Sequence, residues 1–208
     1  MPNWVTNIIT MENVDEKMIT TIKKFVKGKR KELKDGKEIE EEIVFDFNKI
    51  TAMPEKLEKT TSPSLPPNKK EFKNAFKYAE ACIKWEKTSK SLIKEYGFNN
   101  WYDWRSANWG TKWNTESSIE FKNGFEFDTA WSCPLPALET LSKKFPTVSF
   151  KIEYADEDMG VNCGEFTLVN GEIVEELIYE YDEESKRFAC KVKGMDYEDY
   201  LREQEEEE

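Results

Sequence analysis

The 208-residue chain contains no histidine. That absence excludes Ser-His-Asp and Cys-His catalysis, zinc sites needing two imidazoles, and histidine-based pH switching. Cysteine is scarce. Cys82, Cys133, Cys163 and Cys190 stand 51, 30 and 27 residues apart, with no Cys-x-x-Cys pair. Such isolated cysteines disfavour a zinc site and are read as reduced, mostly buried thiols of a cytoplasmic protein. No apolar run approaches the roughly 20 residues that a bilayer crossing needs. Trp4–Thr10 is short and follows no basic stretch, so a leader peptide is not expected. Neither a Walker loop nor a Gly-x-Gly-x-x-Gly is present, which argues against nucleotide cofactors. No cofactor, resident metal or membrane partner is expected.

What is present is aromatic and charged. Aromatic residues make up 13% of the chain, with seven Trp, and charged residues 35%. That balance suits a globular fold and not a disordered one. The net charge of -11 is uneven: residues 1–115 hold 22 basic and 17 acidic side chains, residues 116–208 hold 9 and 25. Met195–Glu208 alone has 8 acids and one Arg. Such a run is read as a solvated, partly frayed end, or as a phosphate mimic for a basic channel on another protein. The Lys69–Lys94 segment is interrupted by Glu71, Glu80, Glu86 and Glu95, which suits an exposed helix face better than a nucleic-acid stripe.

Periodicity outlines the elements. Trp4–Thr10 reads as an opening strand, and Val14, Met18, Ile22, Phe25 and Val26 as a helix capped by Asn13. Ile43–Phe47 reads as a second strand, with Asp35-Gly36 a turn before it. The Pro-rich stretch 51–68 reads as loop. Phe72, Ala75, Phe76, Ala79, Ile83, Leu92 and Ile93 line a long helix that Gly97 stops. Ser117–Phe121 and Gly124–Asp128 flank Lys122-Asn123 as a hairpin. Pro134 opens a helix carrying Leu138, Leu141 and Phe145, and Pro146 ends it. Val148–Tyr154 alternates as a strand, and Asn170-Gly171 joins a closing hairpin of Phe166–Val169 and Ile173–Tyr179. Two β-α-β halves sharing an antiparallel sheet define a ferredoxin-like α+β domain with its helices on one face. The expected boundaries are one domain over 1–181, with a long helix and a Trp-rich loop inserted at about 51–115. An acidic extension then fills 182–208.

Four of the seven Trp fall in Trp101–Trp113. The candidate binding cluster is Trp101, Trp104, Arg105, Asn108, Trp109, Lys112 and Trp113, with Trp131. Trp and Arg dominate interface energetics, and a cation can lie over an indole face. The same residues equally suit a purely structural role, with indoles pinning the insertion to the sheet.

The segment Trp101-Tyr-Asp-Trp-Arg-Ser-Ala-Asn-Trp-Gly-Thr-Lys-Trp-Asn114 resembles the signature of the YubB-like ferredoxin-like-domain family of phage and plasmid proteins. Met1-Pro-Asn-Trp4, Phe45–Ile50, Met53-Pro-Glu55, Phe127-Asp-Thr-Ala-Trp131 with Pro134 and Pro136, Leu141–Pro146, and Glu153-Tyr154 through Met159-Gly160 extend the likeness over residues 1–179 in order. Val5 stands where the family pattern has Cys, which argues against a required thiol there. The tail after Tyr181 lies outside the shared pattern. The resemblance implies a ferredoxin-like fold without an iron–sulfur cluster, and an accessory gene of a mobile element.

Three functions are thereby open. The first is a non-enzymatic binder of a host protein, an inhibitor of a nucleic-acid-binding defence complex of CRISPR type, whose acidic half faces a basic surface. The second is a small-ligand or single-stranded nucleic-acid domain that uses Trp101–Trp113 for stacking, although the net acidity opposes nucleic acid. The third and least favoured is a metal-dependent hydrolase using Asp46, Asp103 and Asp128, with Arg105 or Lys112 holding a phosphate.

Overall fold

A computed structural model describes residues 2–34 and 37–207. In chain order its strands and helices begin with β1 (Trp4–Glu12), α1 (Glu16–Val26), β2 (Gly28–Lys34), β3 (Lys37–Ile43) and α2 (Phe47–Ile50). α3 (Glu55–Glu58), α4 (Ala75–Tyr96) and α5 (Trp101–Trp109) follow. Then come β4 (Glu116–Phe121), β5 (Gly124–Ala130), α6 (Leu135–Lys144), β6 (Ser149–Asp156), β7 (Cys163–Val169) and β8 (Glu172–Ile178). α7 (Glu183–Val192) and α8 (Tyr197–Glu207) close the chain. The chain divides into two compact units, Met1–Thr51 with Trp109–Glu208, and Ala52–Asn108.

The first unit is built on a six-stranded antiparallel sheet of order β4-β5-β1-β6-β7-β8, and β2-β3 form a separate two-stranded ribbon. β1-α1-β4 and β5-α6-β6 are two interleaved split β-α-β units, each with a strand of the other between its own two. That is the ferredoxin-like arrangement, widened by the β7-β8 hairpin. Period-2 alternation divides the faces. Val5, Ile9 and Met11 of β1, Phe125 and Phe127 of β5, and Phe150 and Ile152 of β6 are buried on one face. α1 and α6 bring Ile22, Val26, Leu138 and Leu141 to the core, with Phe25 and Phe145 edge-to-face at 5.6 Å. Burying each such side chain contributes about 1.5–3 kcal/mol.

The opposite face carries a further helix. Phe188, Ala189 and Val192 of α7 pack on Ala155 and Cys163, with Ile8, Met159 and Tyr179 beside them. Asp182 caps α7 reciprocally with Ser185, each side chain bonding the other residue's backbone N–H. Residues 182–207 therefore carry two helices, and the acidic run from Met195 is largely helical with mostly exposed side chains. Asp196 accepts from the N–H groups of Glu198 and Asp199 and starts α8, where acids in the first turn favour the helix dipole.

Several expectations are corrected. Asp15, not Asn13, caps α1, since its Oδ1 accepts from Met18 N–H at 2.7 Å while Asn13 sits at φ 53° in the turn after β1. Ile43–Phe47 is not a strand: β3 ends at Ile43, and Asp46 caps α2 by accepting from Asn48 N–H at 2.9 Å. A side chain at Gly28 would meet Asp46 Oδ2 at 1.9 Å, so only glycine admits this approach. The strand pairing lies earlier, in the charged Gly28–Ile43 ribbon, while the expected Asp35-Gly36 turn lies outside the described residues. The 51–68 stretch contains α3, whose Leu57 is fully buried.

The hairpins follow their turn residues. Lys122-Asn123 joins β4 to β5, and Asn170 and Gly171, at φ 52° and 79°, join β7 to β8. Two positive φ values in a two-residue loop match the right-handed strand twist, which Asn-Gly allows at low cost.

In the second unit, α4 ends at Gly97, but its expected apolar face is not covered: Phe76 is 70% exposed and Ile83 66%, while Leu92 is buried. Periodicity tells which residues share a face, not whether anything packs on it. Trp101–Trp109, expected as loop, is a helix capped by Asn100 and Asp103, with Asn100 Oδ1 accepting from Asp103 N–H at 2.9 Å. Among the described residues, no helix is long and apolar enough to cross a membrane. All four cysteines are free thiols.

Candidate functional site

The expected Trp cluster divides between the two units. Trp101, Trp104, Arg105 and Asn108 belong to the Ala52–Asn108 unit, and Trp109, Lys112, Trp113 and Trp131 to the other.

In the Ala52–Asn108 unit, α5 is tied down by its own neighbours. Trp101 N–H donates to Thr60 Oγ1 at 3.0 Å, and Asn108 Nδ2 donates to Trp104 O at 2.8 Å. Trp104 is buried. The Arg105 guanidinium lies over the Trp101 ring at 5.2 Å, and its Nε is 3.2 Å from Met53 Sδ. Burial pulls the Arg105 pKa down and the nearby Glu58 carboxylate opposes that. An arginine shifted this way still carries its charge at any physiological pH. Trp101 and Arg105 thus hold α5 against Thr60 and Met53, while Asn108 bonds within the helix.

In the larger unit the segment after Trp109 turns toward the opposite sheet face. Trp109 is fully buried, donates through Nε1 to Thr51 O at 2.9 Å and packs on Phe47, so it is core. Asn114 Oδ1 accepts from Phe47 N–H and its Nδ2 donates to Asp46 Oδ1 at 2.7 Å. Those bonds fix the direction of the strand that follows. Lys112 Nζ lies 4.0 Å from the ring centroid of Trp113 and 3.5 Å from that of Trp131. Trp113 in turn meets Trp4 at 5.9 Å. The result is a row of three indoles with an ammonium between two of them.

Trp131 is the strained member. It has φ 72° and is 48% exposed. A bulky residue at positive φ is uncommon and costs roughly 1–2 kcal/mol. Its backbone is clamped: its N–H donates to Asn3 O at 2.9 Å, and its carbonyl accepts from Asn162 Nδ2 at 3.2 Å. Asn3 and Asn162 both also donate to Asp156, at 3.3 and 3.0 Å. The clamp over-determines a conformation that places a large apolar ring in solvent.

Beside this row is a concavity of about 510 Å³ lined by Trp4, Thr6, Trp113, Glu116, Asp128 and Lys193. Thr6 Oγ1 donates to Asp128 Oδ1 at 2.9 Å and accepts from Lys193 Nζ at 3.3 Å. Arg30 reaches Glu116 with Nη1 at 3.0 and 3.1 Å from its two oxygens and bonds Glu41 through Nε at 3.0 Å. Two indoles and two carboxylates in one lining suit a cationic side chain or ligand, which would compete there with Lys193 and with Arg30 on Glu116.

Trp4, Thr6 and Lys193 were not among the expected site residues; Trp4 stood only in the opening Met1-Pro-Asn-Trp4 motif, and no local signal marks Thr6 or Lys193. Lys193 follows α7, and β1 begins the chain, so only docking of α7 on the sheet joins them. The three carboxylates of the hydrolase reading are each engaged elsewhere: Asp46 with Asn114, Asp103 with Asn100 and Asp128 with Thr6. Among the described residues, no group of three or more Cys, Asp or Glu is placed to hold a metal ion.

The strand order and split β-α-β units make this a ferredoxin-like domain, in fold only. Residues 108–207 match the family model described as a ferredoxin-like domain in Api92-like protein. Among solved structures, the chain is similar to the crystal structure of a protein api92 from Yersinia pseudotuberculosis. The two share 8% identity, with 88% of this chain and 99% of that one covered and a TM-score of 0.46. No curated protein matches the chain. The family-model match supports a ferredoxin-like domain over residues 108–207; the YubB-like name and a phage or plasmid origin belong to the proposal below.

Proposed function

We propose that the protein is a non-enzymatic binding module, an accessory protein of a phage or other mobile element in the bacterial cytoplasm. It binds a host protein through a basic surface of that partner and inhibits it, the target being a nucleic-acid-binding defence complex. The observation that carries this reading is the aromatic and acidic concavity beside Trp131. Trp4 and Trp113 with Glu116 and Asp128 offer a site for a Lys or Arg side chain of the partner. The strained, clamped Trp131 stands exposed next to it as an anchor. The surrounding half of the chain, with 25 acidic and 9 basic side chains, supplies the field that steers a basic partner toward it.

The indole row favours one alternative, a cationic small ligand or a single-stranded nucleic acid stacked on Trp113 and Trp131. Acidity opposes the nucleic acid and not the cation. Affinity capture from host lysate at low and high salt, followed by mass spectrometry and nucleic-acid staining, separates the readings. A stoichiometric protein released by salt, and lost in the Asp128→Lys variant, is expected. Recovery of nucleic acid, or of a partner indifferent to both salt and Asp128→Lys, overturns the proposal.

A further inference from the structure

We infer that the outer edge of β8 is a second docking surface, onto which an extended, lysine- or arginine-bearing segment of the partner adds as a seventh strand. This rests on the reading above, that the partner is a basic protein, and adds the place and form of a second contact.

The two edges of the six-stranded sheet differ. β4, at one edge, is bulged between Glu116 and Ile119. It is also covered in part by the β2-β3 ribbon, through Arg30 on Glu116 and Val44 N–H donating to Ser118 Oγ at 3.3 Å. β8, at the other edge, is exposed along all seven residues. Edge strands are usually protected by lysine, proline or brevity. β8 has neither residue, and Ile173, Val174, Leu177 and Ile178 are all exposed, Ile178 at 63%.

Among the described residues no strand pairs with the outer side of β8, and backbone geometry says which N–H groups face it. Tyr179 N–H donates to Cys163 O of β7 at 3.3 Å. Since alternate residues of a strand point their N–H groups to opposite sides, Leu177 and Glu175 face β7 while Ile178 and Glu176 face outward. The β7-β8 register is continuous over Gly164↔Ile178 to Thr167↔Glu175, so these outward groups lie on a straight stretch.

Charge selects the occupant. β8 carries Glu172, Glu175 and Glu176 and no basic residue. An antiparallel second copy centred on the strand would set Glu175 against Glu175 or Glu176, and directly opposed like charges are destabilising. Glu175 and Glu176 point to opposite faces, and a strand with Lys or Arg at alternate positions puts its cations on the one face where Glu175 lies beside Glu165. A concavity of about 300 Å³ crosses the sheet face from β1 to this strand, lined by Glu12, Glu165, Glu175, Glu176 and Leu177, with Lys151 the one basic residue in it. Lys151 is already bonded to Glu165 at 3.0 Å, which leaves the balance of the concavity acidic. Main-chain bonds to the edge would give affinity, and the concavity would select the basic side chains.

The test uses the whole chain and a capped octapeptide of alternating Lys and Val, with the Glu-Val octapeptide as control. Amide hydrogen exchange at Glu176 and Ile178 is expected to slow about tenfold or more with the Lys-Val peptide only. Glu176→Pro removes an outward N–H without breaking the ladder, a substitution that edge strands tolerate, and should abolish the protection. Glu176→Gln keeps the N–H and should retain most of it. A triple variant, Glu172→Lys with Glu175→Lys and Glu176→Lys, needs no proline and should switch the preference to the Glu-Val peptide.

Absence of protection, equal protection by both peptides, or a concentration-dependent dimer abolished by Glu176→Pro overturns the inference, the last by making a second copy the occupant. Failure of the wild-type chain to capture any host protein would instead count against the preceding reading, since the peptide experiment needs no lysate.

Discussion

The ammonium of Lys112 lies 3.5 Å from the ring centroid of Trp131, on a residue whose backbone is held at φ 72°. The pair unites a cation on the chain leaving α5 with a ring at the end of β5, and Trp113 closes the other side of the ammonium at 4.0 Å. Cation–π contacts of this kind contribute about 0.5–1 kcal/mol each where water still reaches them. The arrangement therefore orients Trp131 more than it stabilises the domain.

Function and stability should separate at this ring. Trp131→Gly removes the indole and relieves the left-handed strain, so the melting temperature is expected to shift by only a few degrees. Partner capture should be lost with it. Calorimetry alongside the capture assay decides: a Trp131 that merely packs would lose stability and binding together.

Charge at the concavity should act on association. Asp128→Asn keeps an acceptor for the Thr6 hydroxyl while removing a charge, and Glu116→Gln breaks the bidentate Arg30 pair. The double variant should bind its partner with an on-rate reduced severalfold and a shallower dependence on ionic strength, and a nearly unchanged off-rate. Surface-plasmon measurements at several salt concentrations read both quantities. A change confined to the off-rate would contradict electrostatic steering.

The two C-terminal helices should differ in weight. Phe188 of α7 stacks on Tyr179 at 4.4 Å and covers Ala155 and Cys163. Phe188→Ala is expected to destabilise by about 3 kcal/mol and to open Cys163 to thiol reagents before global unfolding. Removing α8 by ending the chain at Gly194 should cost less than about 1 kcal/mol, since its side chains are mostly exposed. Urea titrations of the two variants check both.

Alkaline pH should weaken the fold through a half-buried phenol and buried thiol groups. Burial, then the charges of Cys133, Cys163 and Glu176, pushes the Tyr154 pKa up to about 12. The unfolded chain releases that proton near pH 10, so between roughly pH 10 and 12 the unfolded state binds fewer protons and stability falls as pH rises. Its contribution is complete below pH 10. Buried Cys163 and Cys190, also raised, begin the same loss at lower pH. Denaturation from pH 8 to 11.5 should show Tyr154→Phe losing less stability than the parent, with the gap widening as pH rises.

Much of the sheet was legible in the sequence because alternation and turn chemistry are local. Asn170-Gly171, Pro134 and the β6 alternation all led to the elements found. The Trp segment was misread as a loop, although Trp101, Trp104, Arg105, Asn108 and Trp109 recur at helical spacing behind the Asn100 and Asp103 cap. The density of indoles made it resemble a loop. Ile43–Phe47 misled in the opposite sense, since apolar alternation around Asp46 continues through a cap as easily as through a strand.

The sequence by itself determined the α+β order, the absence of histidine chemistry, the acidic C-terminal half and the aromatic residues from which a site could be made. Tertiary structure alone decided which of those residues meet. Trp109 became core, Lys112 was set between Trp113 and Trp131, and Trp4 came to face Lys193 across a concavity that spans nearly the whole chain length. The physical reason is that periodicity is written over a few residues, whereas a site is assembled by strand pairing and helix docking between distant segments. Those contacts depend on register and on which face is left uncovered, and neither is encoded locally.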